Sequence, residues 1–336
     1  MQNSKKIEKV MQAACSTPVD IVYLWVDGSD PVWRGKRNAA FAQWQLQNPH
    51  ELAAFGNTAG RYRDNHELLF NLRALERFFP DHGHVYLVTD GQTPAWLQDS
   101  DNLTVVDHRD LFPADTQCVF DSGHIESYLH HIEGLSERFF YMNDDVFFGA
   151  VVDVDWWFGD RLKVFSELDR VPDYDALQQQ ESALVNASLL SRDWLRQRYP
   201  QYLHDPRVYA HSPRPMLKSA MVELERIAAE LFAQVRSTAF RSWKVPPIVS
   251  DLVPRWMVHV GYADQSSLDP LYISTGDDCA EAQLTTLLNE FGQLPFFCIN
   301  DTCDEAGEDD VRLIRVSETL QQLLPEPSSF EMACPL

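Results

Sequence analysis

The chain has 336 residues, 45% of them hydrophobic, with 9 Trp and 19 Phe, enough for one large or two ordinary globular domains with a sizeable core. Its formal net charge is -22, from 50 acidic against 28 basic residues, which argues against nucleic acid or an anionic membrane face as a partner. No apolar run reaches membrane-spanning length, the first twenty residues lack the apolar core of a signal peptide, and the six Cys form no CxxC pair. A cytoplasmic protein with reduced thiols is the expectation.

VDIVYLWV (19–26) is β-branched and aromatic and ends at the turn-rich DGSDP, which predicts a buried strand and a loop. Residues 44–60, polar with Pro and Gly, read as a connection. DNHELLFNLRALERFFP (64–80) puts Leu68, Leu72, Leu75 and Phe79 on one helical face, with Asp64 or Asn65 as cap and Pro80 as stop. HVYLVT (84–89), LTVVD (103–107) and RFFYM (138–142) read as strands, and SGHIESYLHHIEGL (122–135) as a helix capped by Ser122. Residues 151–240 look mostly helical, with MLKSAMVELERIAAELFAQV (216–235) the clearest helix. LPFFCI (294–299) is strand-like, and EDDVRLIRVSETLQQLLPEP (308–327) is a helix closed by Pro. Strands alternating with helices predict an α/β fold with a mainly parallel sheet in one domain over 19–331. An N-terminal extension (1–18) precedes it, and 151–240 is a helical insertion or subdomain. Ligands of such sheets sit beyond the carboxyl ends of the strands, where DGSDP, TDGQ and NDD fall.

Within NDD, Asp144 and Asp145 stand against apolar residues on both sides, a costly placement unless positive charge compensates it. The alternatives are a solvated acidic turn and a hard-cation site; Mg²⁺ takes one or two carboxylates and completes its shell with water and substrate phosphate. Asn300 and Asp301, tight against a second strand, are further ligand candidates. YAHSPRPMLK (209–218) gathers His211, Arg214 and Lys218, and a histidine beside a phosphate is suited to accept a hydroxyl proton. Arg61 and Arg63 in RYRD, with Arg241 and Lys244 in FRSWK, either neutralise phosphate oxygens or form ordinary surface ion pairs. No GxxxxGK, GxGxxG or GxSxG motif occurs, which argues against P-loop NTPases, dinucleotide dehydrogenases and common hydrolases.

Taken in order, DIVYLWVDGSDPVW, RYRDNHELLFNLRALERFFPDHGHVYLVTDGQTPAWL, HIESYLHHIEGLSERFFYMNDDVFFG, AHSPRPMLK and FFCINDT…LLPEPSSFE resemble the conserved regions of the Stealth family, over about residues 19–331. That family comprises bacterial capsular polysaccharide phosphotransferases and the catalytic part of animal N-acetylglucosamine-1-phosphotransferase. The resemblance implies a nucleotide-sugar-binding, glycosyltransferase-A-like sheet. It also implies transfer of a hexose 1-phosphate, in capsule or exopolysaccharide synthesis, from a nucleotide-sugar (usually UDP-linked) to a sugar hydroxyl, by attack at the β-phosphorus with Mg²⁺ or Mn²⁺. By motif, Asp27, Gly28, Ser29 and Asp30 would hold the nucleotide, Arg63, Asp64 and Asn65 would line the donor site, and Asp144 and Asp145, helped by Asn300, would bind the metal. His211 is the expected base, with Asp64 as its alternative, Arg241 the matching basic residue and Lys218 a further phosphate contact. WKVPPIVSD after FRS departs from the acidic and polar residues the family often has there. The expected partners are the donor and a saccharide acceptor, with peripheral association with capsule assembly machinery at the inner face of the membrane. A conventional metal-dependent glycosyltransferase and a non-catalytic sugar-binding scaffold are the competing readings.

Overall fold

β1 (Val19–Leu24) is the middle of the principal sheet, with Ile21, Val22 and Tyr23 fully buried. An apolar run without alternation needs cover on both faces, the condition of a parallel strand between helices. In the computed structural model, which describes residues 10–11, 17–268, 270–307 and 309–332, β1 pairs in parallel with β2 (Val85–Thr89) and with β4 (Arg138–Asn143). β3 (Leu103–Asp107) continues the parallel order beyond β2, and β7 (Arg214–Leu217) closes the other edge antiparallel to β4. The chain is therefore an α/β protein with a mainly parallel central sheet. Most of the expected 1–18 extension lies outside the described residues.

A second sheet is fused to the first through a short turn. β5 (Val146–Phe148) follows β4 after Asp144 and Asp145 alone and pairs antiparallel with β10 (Phe296–Asn300), which pairs in parallel with β9 (Leu271–Ser274). Cys298 faces Val146 in this register, and the Ile299 amide donates to the Asp145 carbonyl at 3.0 Å. The end of β10 is thereby brought to the acid pair, joining two motifs more than 150 positions apart in the sequence.

Several helices differ from expectation. DGSDP opens a long helix, α1 (Pro31–Gln47), because Asp30 accepts from the amides of Val32 and Trp33 and Pro31 occupies the first turn. Residues 44–47, expected in a connection, are its last turn. α2 (Glu67–Phe78) is capped by neither Asp64 nor Asn65: His66 holds that position with φ 65°, while Asp64 accepts from the His66 amide at 2.9 Å. The helix expected over 122–135 is only α3 (Ser122–Glu126), capped by Asp121 rather than Ser122, then a separate 3-10 turn at Leu129–His131.

The stretch 151–240 carries strand as well as helix. β6 (Leu162–Ser166) pairs in parallel with β8 (Ala263–Ser267), and β7 belongs to the principal sheet. Residues 216 and 217 end β7, so the long helix expected from 216 begins at Lys218 and divides into α5 (Lys218–Ile227) and α6 (Ala229–Val235), after α4 (Ala183–Arg198). α7 (Val311–Leu323), capped by Asp310, occupies the middle of the helix expected at 308–327.

Candidate active site

The turn Asn143–Asp144–Asp145 leaves the carboxyl end of β4 beside the end of β1, where Leu24 pairs with Asn143. Asn71 of α2, fully buried, fixes this turn. Its Nδ2 donates to the carbonyls of Asp144 (2.9 Å) and Val146 (2.6 Å), while its Oδ1 accepts from the Tyr23 hydroxyl at 2.9 Å. Leaving such buried groups unpaired is costly, so the hydrogen bonds hold the acid pair in one place.

Asp144, Asp145, Glu67, Asn300 and Asp301 line one pocket. Burial, then the charges of Asp145, Glu67 and Asp64, push the Asp144 carboxyl well above the usual range. Burial lifts Asp145 to about 6, against a thiol contact from Cys298 at 3.7 Å, and lifts Glu67 to about 8, reinforced by Asp64. One oxygen of Asp145, Oδ1, is buried with no hydrogen-bond partner. Crowded carboxylates with an unpartnered buried oxygen make an oxygen donor set that suits a hard divalent cation, which would relieve their mutual repulsion.

Arg61, Arg214, Arg241 and His211 line the same pocket. Arg241 donates to Ser122 Oγ at 2.6 Å, with its Nε 3.8 Å from Asp121, and Arg214 lies over the Tyr141 ring at 5.6 Å. The Nε atoms of Arg61 and Arg241 are buried without a hydrogen-bond partner. Burial, then the charges of Arg214, Arg241 and Arg61, lower the His211 imidazole to about 4 and keep it neutral near pH 7, and its Nδ1 is likewise buried and unpartnered. Glu126 is buried on this side, its Oε1 2.9 Å from the Tyr141 hydroxyl. The pocket thus gathers carboxylates and arginines together, with Arg61 and Arg214 near enough to Asp145 to favour its charged form, an arrangement suited to a polyanion with a bound cation.

The remaining expected residues lie around this pocket or away from it. Arg63 lines it, but its guanidinium is bound to Asp301 and to the carbonyls of Cys303 and Ala306. Asn65 bonds Glu67 and Asp301, and Asp64, outside the lining, acts on Asp144 through its charge. In the 27–30 loop, Asp27 accepts from the Ser29 amide, Asp30 caps α1 and accepts from Gln92, and Gly28 donates to the Tyr62 carbonyl. These four brace the loop beside the pocket rather than forming its lining. Lys218 is not at the site. β7 runs antiparallel to β4, so Leu217 pairs with Arg138 and the chain reaches Lys218 at the amino end of β4, with its Nζ on the carbonyls of Ile132 and Leu135. Lys244 forms an exposed ion pair with Glu51 at 2.6 Å. Glu67, Asn71 and Glu126 escape a reading of the sequence alone; the one available signal is a polar residue interrupting an otherwise apolar stretch.

Fold and pocket together define an α/β protein with a doubly charged ligand site at the carboxyl edge of its sheet. Residues 17–40 match Stealth protein CR1, conserved region 1, and residues 61–165 match Stealth protein CR2, conserved region 2. An exopolysaccharide phosphotransferase of Streptomyces coelicolor is 34% identical over 319 residues, 94% of this chain and 33% of that protein. Another from Mycobacterium tuberculosis is 31% identical over 317 residues, 93% of this chain and 58% of its own length. The chain thus carries two conserved regions of Stealth proteins and is similar over most of its length to exopolysaccharide phosphotransferases. It spans a third to about three-fifths of the length of these curated relatives. Among solved structures, a galactosyltransferase LgtC in complex with donor and acceptor sugar analogues matches with a TM-score of 0.42 at 10% identity, over 92% of this chain and 98% of that one, a likeness too slight to inform the site. No helix among the described residues is long and apolar enough to cross a membrane.

Proposed function

We propose that this chain transfers a sugar 1-phosphate from a nucleotide-sugar, UDP-linked for preference, to a sugar hydroxyl, leaving a phosphodiester in an exopolysaccharide or capsular chain. The observation that carries the reading is that Asp144 and Asp145 share one pocket with Arg61, Arg214 and Arg241. A nucleotide diphosphate has charge complementary to the arginines, and the similarity to exopolysaccharide phosphotransferases supports the substrate class.

In the reaction the acceptor oxygen attacks the β-phosphorus. A new phosphorus–oxygen bond forms, the bond to the oxygen bridging α and β breaks, and the nucleoside monophosphate departs with that electron pair. The acceptor's proton passes to His211, neutral near pH 7, at Nδ1 or Nε2. The arginines spread the charge developing on the phosphoryl oxygens. Asp144 and Asp145, with Asn300, would hold Mg²⁺ or Mn²⁺, which neutralises diphosphate charge when bound. Gly28 and Asp30 keep the first loop against α1 and Tyr62, bordering the donor.

The test is a panel of nucleotide-sugars with Mg²⁺ and an oligosaccharide acceptor, with the released nucleotide weighed by mass spectrometry. Nucleoside monophosphate with an acid-labile phosphodiester supports the proposal. Nucleoside diphosphate with a glycosidic bond makes the chain an ordinary glycosyltransferase, and binding without turnover across the panel makes it a sugar-binding scaffold.

A further inference from the structure

We propose that His130, His131 and Glu225 form a structural binding site for a borderline divalent cation, zinc foremost, distinct from the carboxylate pocket. The two histidines come from the 3-10 turn Leu129–His131, and Glu225 lies near the end of α5. His130 Nε2 stands 2.6 Å and His131 Nε2 2.9 Å from the same atom, Glu225 Oε2. Each of the three supplies a ligand atom within 4.8 Å of the others, and no other group of three or more His, Cys, Asp or Glu does so among the described residues.

The geometry is one short movement from coordination. A tetrahedral zinc with bonds of about 2.0–2.2 Å spaces its ligand atoms roughly 3.3 Å apart. Opening the two contacts by about half an ångström, which side-chain rotation supplies, lets an ion replace the protons now held between rings and carboxylate. Two imidazoles and one carboxylate suit zinc, cobalt or nickel; magnesium and calcium prefer all-oxygen shells. The His130 side chain is 1% exposed and that of His131 44%, so the site has a fixed inner ligand and an open side through which an ion and a completing water enter. Arg236 binds the other oxygen of Glu225 and also donates to the Ser127 carbonyl at 2.6 Å, which orients Oε2 toward the rings as an outer partner does in a metal site.

The site ties the turn following α3 to α5. α3 carries Ser122 and Glu126 of the pocket lining, and α5 follows directly on β7, which begins at Arg214. A bound ion therefore clamps two segments that carry the pocket, and this role does not depend on which reaction the pocket performs.

The test is zinc titration of untagged, chelator-stripped protein near neutral pH against a chromophoric competitor, with cobalt absorption as a reporter of ligand type. The wild-type protein is expected to bind one zinc at this site, to show the visible bands of a four-coordinate nitrogen and oxygen site with cobalt, and to melt at higher temperature with zinc, an effect equal magnesium does not reproduce. His131→Ala, a change at a half-exposed ring, is expected to weaken zinc at least ~10²-fold, at or beyond the loss seen when a metal ligand's supporting partner is removed. Glu225→Gln is expected to do the same, while Asp144→Asn leaves this binding unchanged. Zinc affinity equal to wild type in His131→Ala, or no zinc bound below millimolar concentration, would overturn the proposal and leave the trio an ion pair; His131→Ala decides alone if Glu225→Gln does not fold.

Discussion

The Gly28 amide donates to the Tyr62 carbonyl at 2.6 Å, and a Cβ at position 28 would stand 2.3 Å from that oxygen. The loop after β1 is therefore pressed against the backbone of a residue that lines the pocket, and only glycine fits the approach. Gly28→Ala must displace one backbone from the other. The expected destabilisation is about 1–3 kcal/mol, the usual range for overpacking, seen as a lower denaturation midpoint together with a higher KM for the donor. Wild-type melting and KM in this variant would mean that the loop is slack and does not brace the pocket.

Asp144→Asn removes a charge that burial and three neighbouring carboxylates oppose. Two outcomes are expected together. Without divalent metal the variant melts at or above the wild-type temperature, because a repelled charge is gone; with substrate and Mg²⁺ its turnover falls at least ~10², the scale of losing one charge-stabilising group. Asp145→Asn should lose activity similarly. Calorimetric melts with and without Mg²⁺, beside single-turnover rates, separate the two effects, and normal turnover in both variants with no response to chelator would remove the metal assignment.

The strands were legible because burial on both faces demands unbroken apolar runs, and IVYL and FFYM within them are such runs. The acid pair was legible for the converse reason, since adjacent carboxylates amid Phe and Tyr need a compensating charge. α1 was not, because Trp33 is its one buried residue and a helix without an apolar stripe leaves no period to read. Glu67 and Asn71 were hidden by the strength of the pattern around them: they sit on the buried side of α2 among leucines, where periodicity expects apolar residues. Lys218 shows what local sequence cannot carry. Only the antiparallel direction of β7 reveals that Arg214 stays at the pocket while Lys218, four residues on, is at the other end of the strand.

Stability should fall as pH rises through the neutral range when no metal is present. Glu67, ordinarily near 4.5, is lifted to about 8 by burial and by Asp64, so between those values the folded chain keeps a proton that the unfolded chain has lost. The folded state then binds more protons, and unfolding free energy declines with pH across that window. Asp145, lifted to about 6, adds the same sign over the lower part. Below about 6.5 the histidines His108, His204 and His211, each lowered to about 4, act with the opposite sign, so denaturant midpoints of chelator-treated protein at pH 7 and pH 8 test this, with Glu67→Gln expected to flatten the slope. Saturating Mg²⁺ should oppose the decline, because a cation favours the charged carboxylates. A wild-type midpoint that falls no more than that of Glu67→Gln between pH 7 and pH 8 without metal would show that Glu67 is not crowded as described.

His211 is expected to take the acceptor's proton, and its surroundings set where in pH that shows. Burial and the three arginines hold the free imidazole at about 4, so it is available as a base throughout the neutral range. With Mg²⁺ saturating, so that Asp144 and Asp145 are held ionised, the acidic limb of kcat/KM should therefore lie near pH 4, well below that of an ordinary histidine. A bound diphosphate brings negative charge among Arg61, Arg214 and Arg241, favours the protonated ring, and should move the limb of kcat upward. His211→Ala should lower turnover by ~10²–10⁴, the contribution of a positioned base, while equilibrium binding of the donor persists. Asp64, engaged by the His66 amide, is the competing base, and its own substitution serves as the control. pH–rate profiles of both variants decide between them: a His211→Ala enzyme that keeps the wild-type limb and a near-normal rate would place the base elsewhere and reduce His211 to lining the pocket.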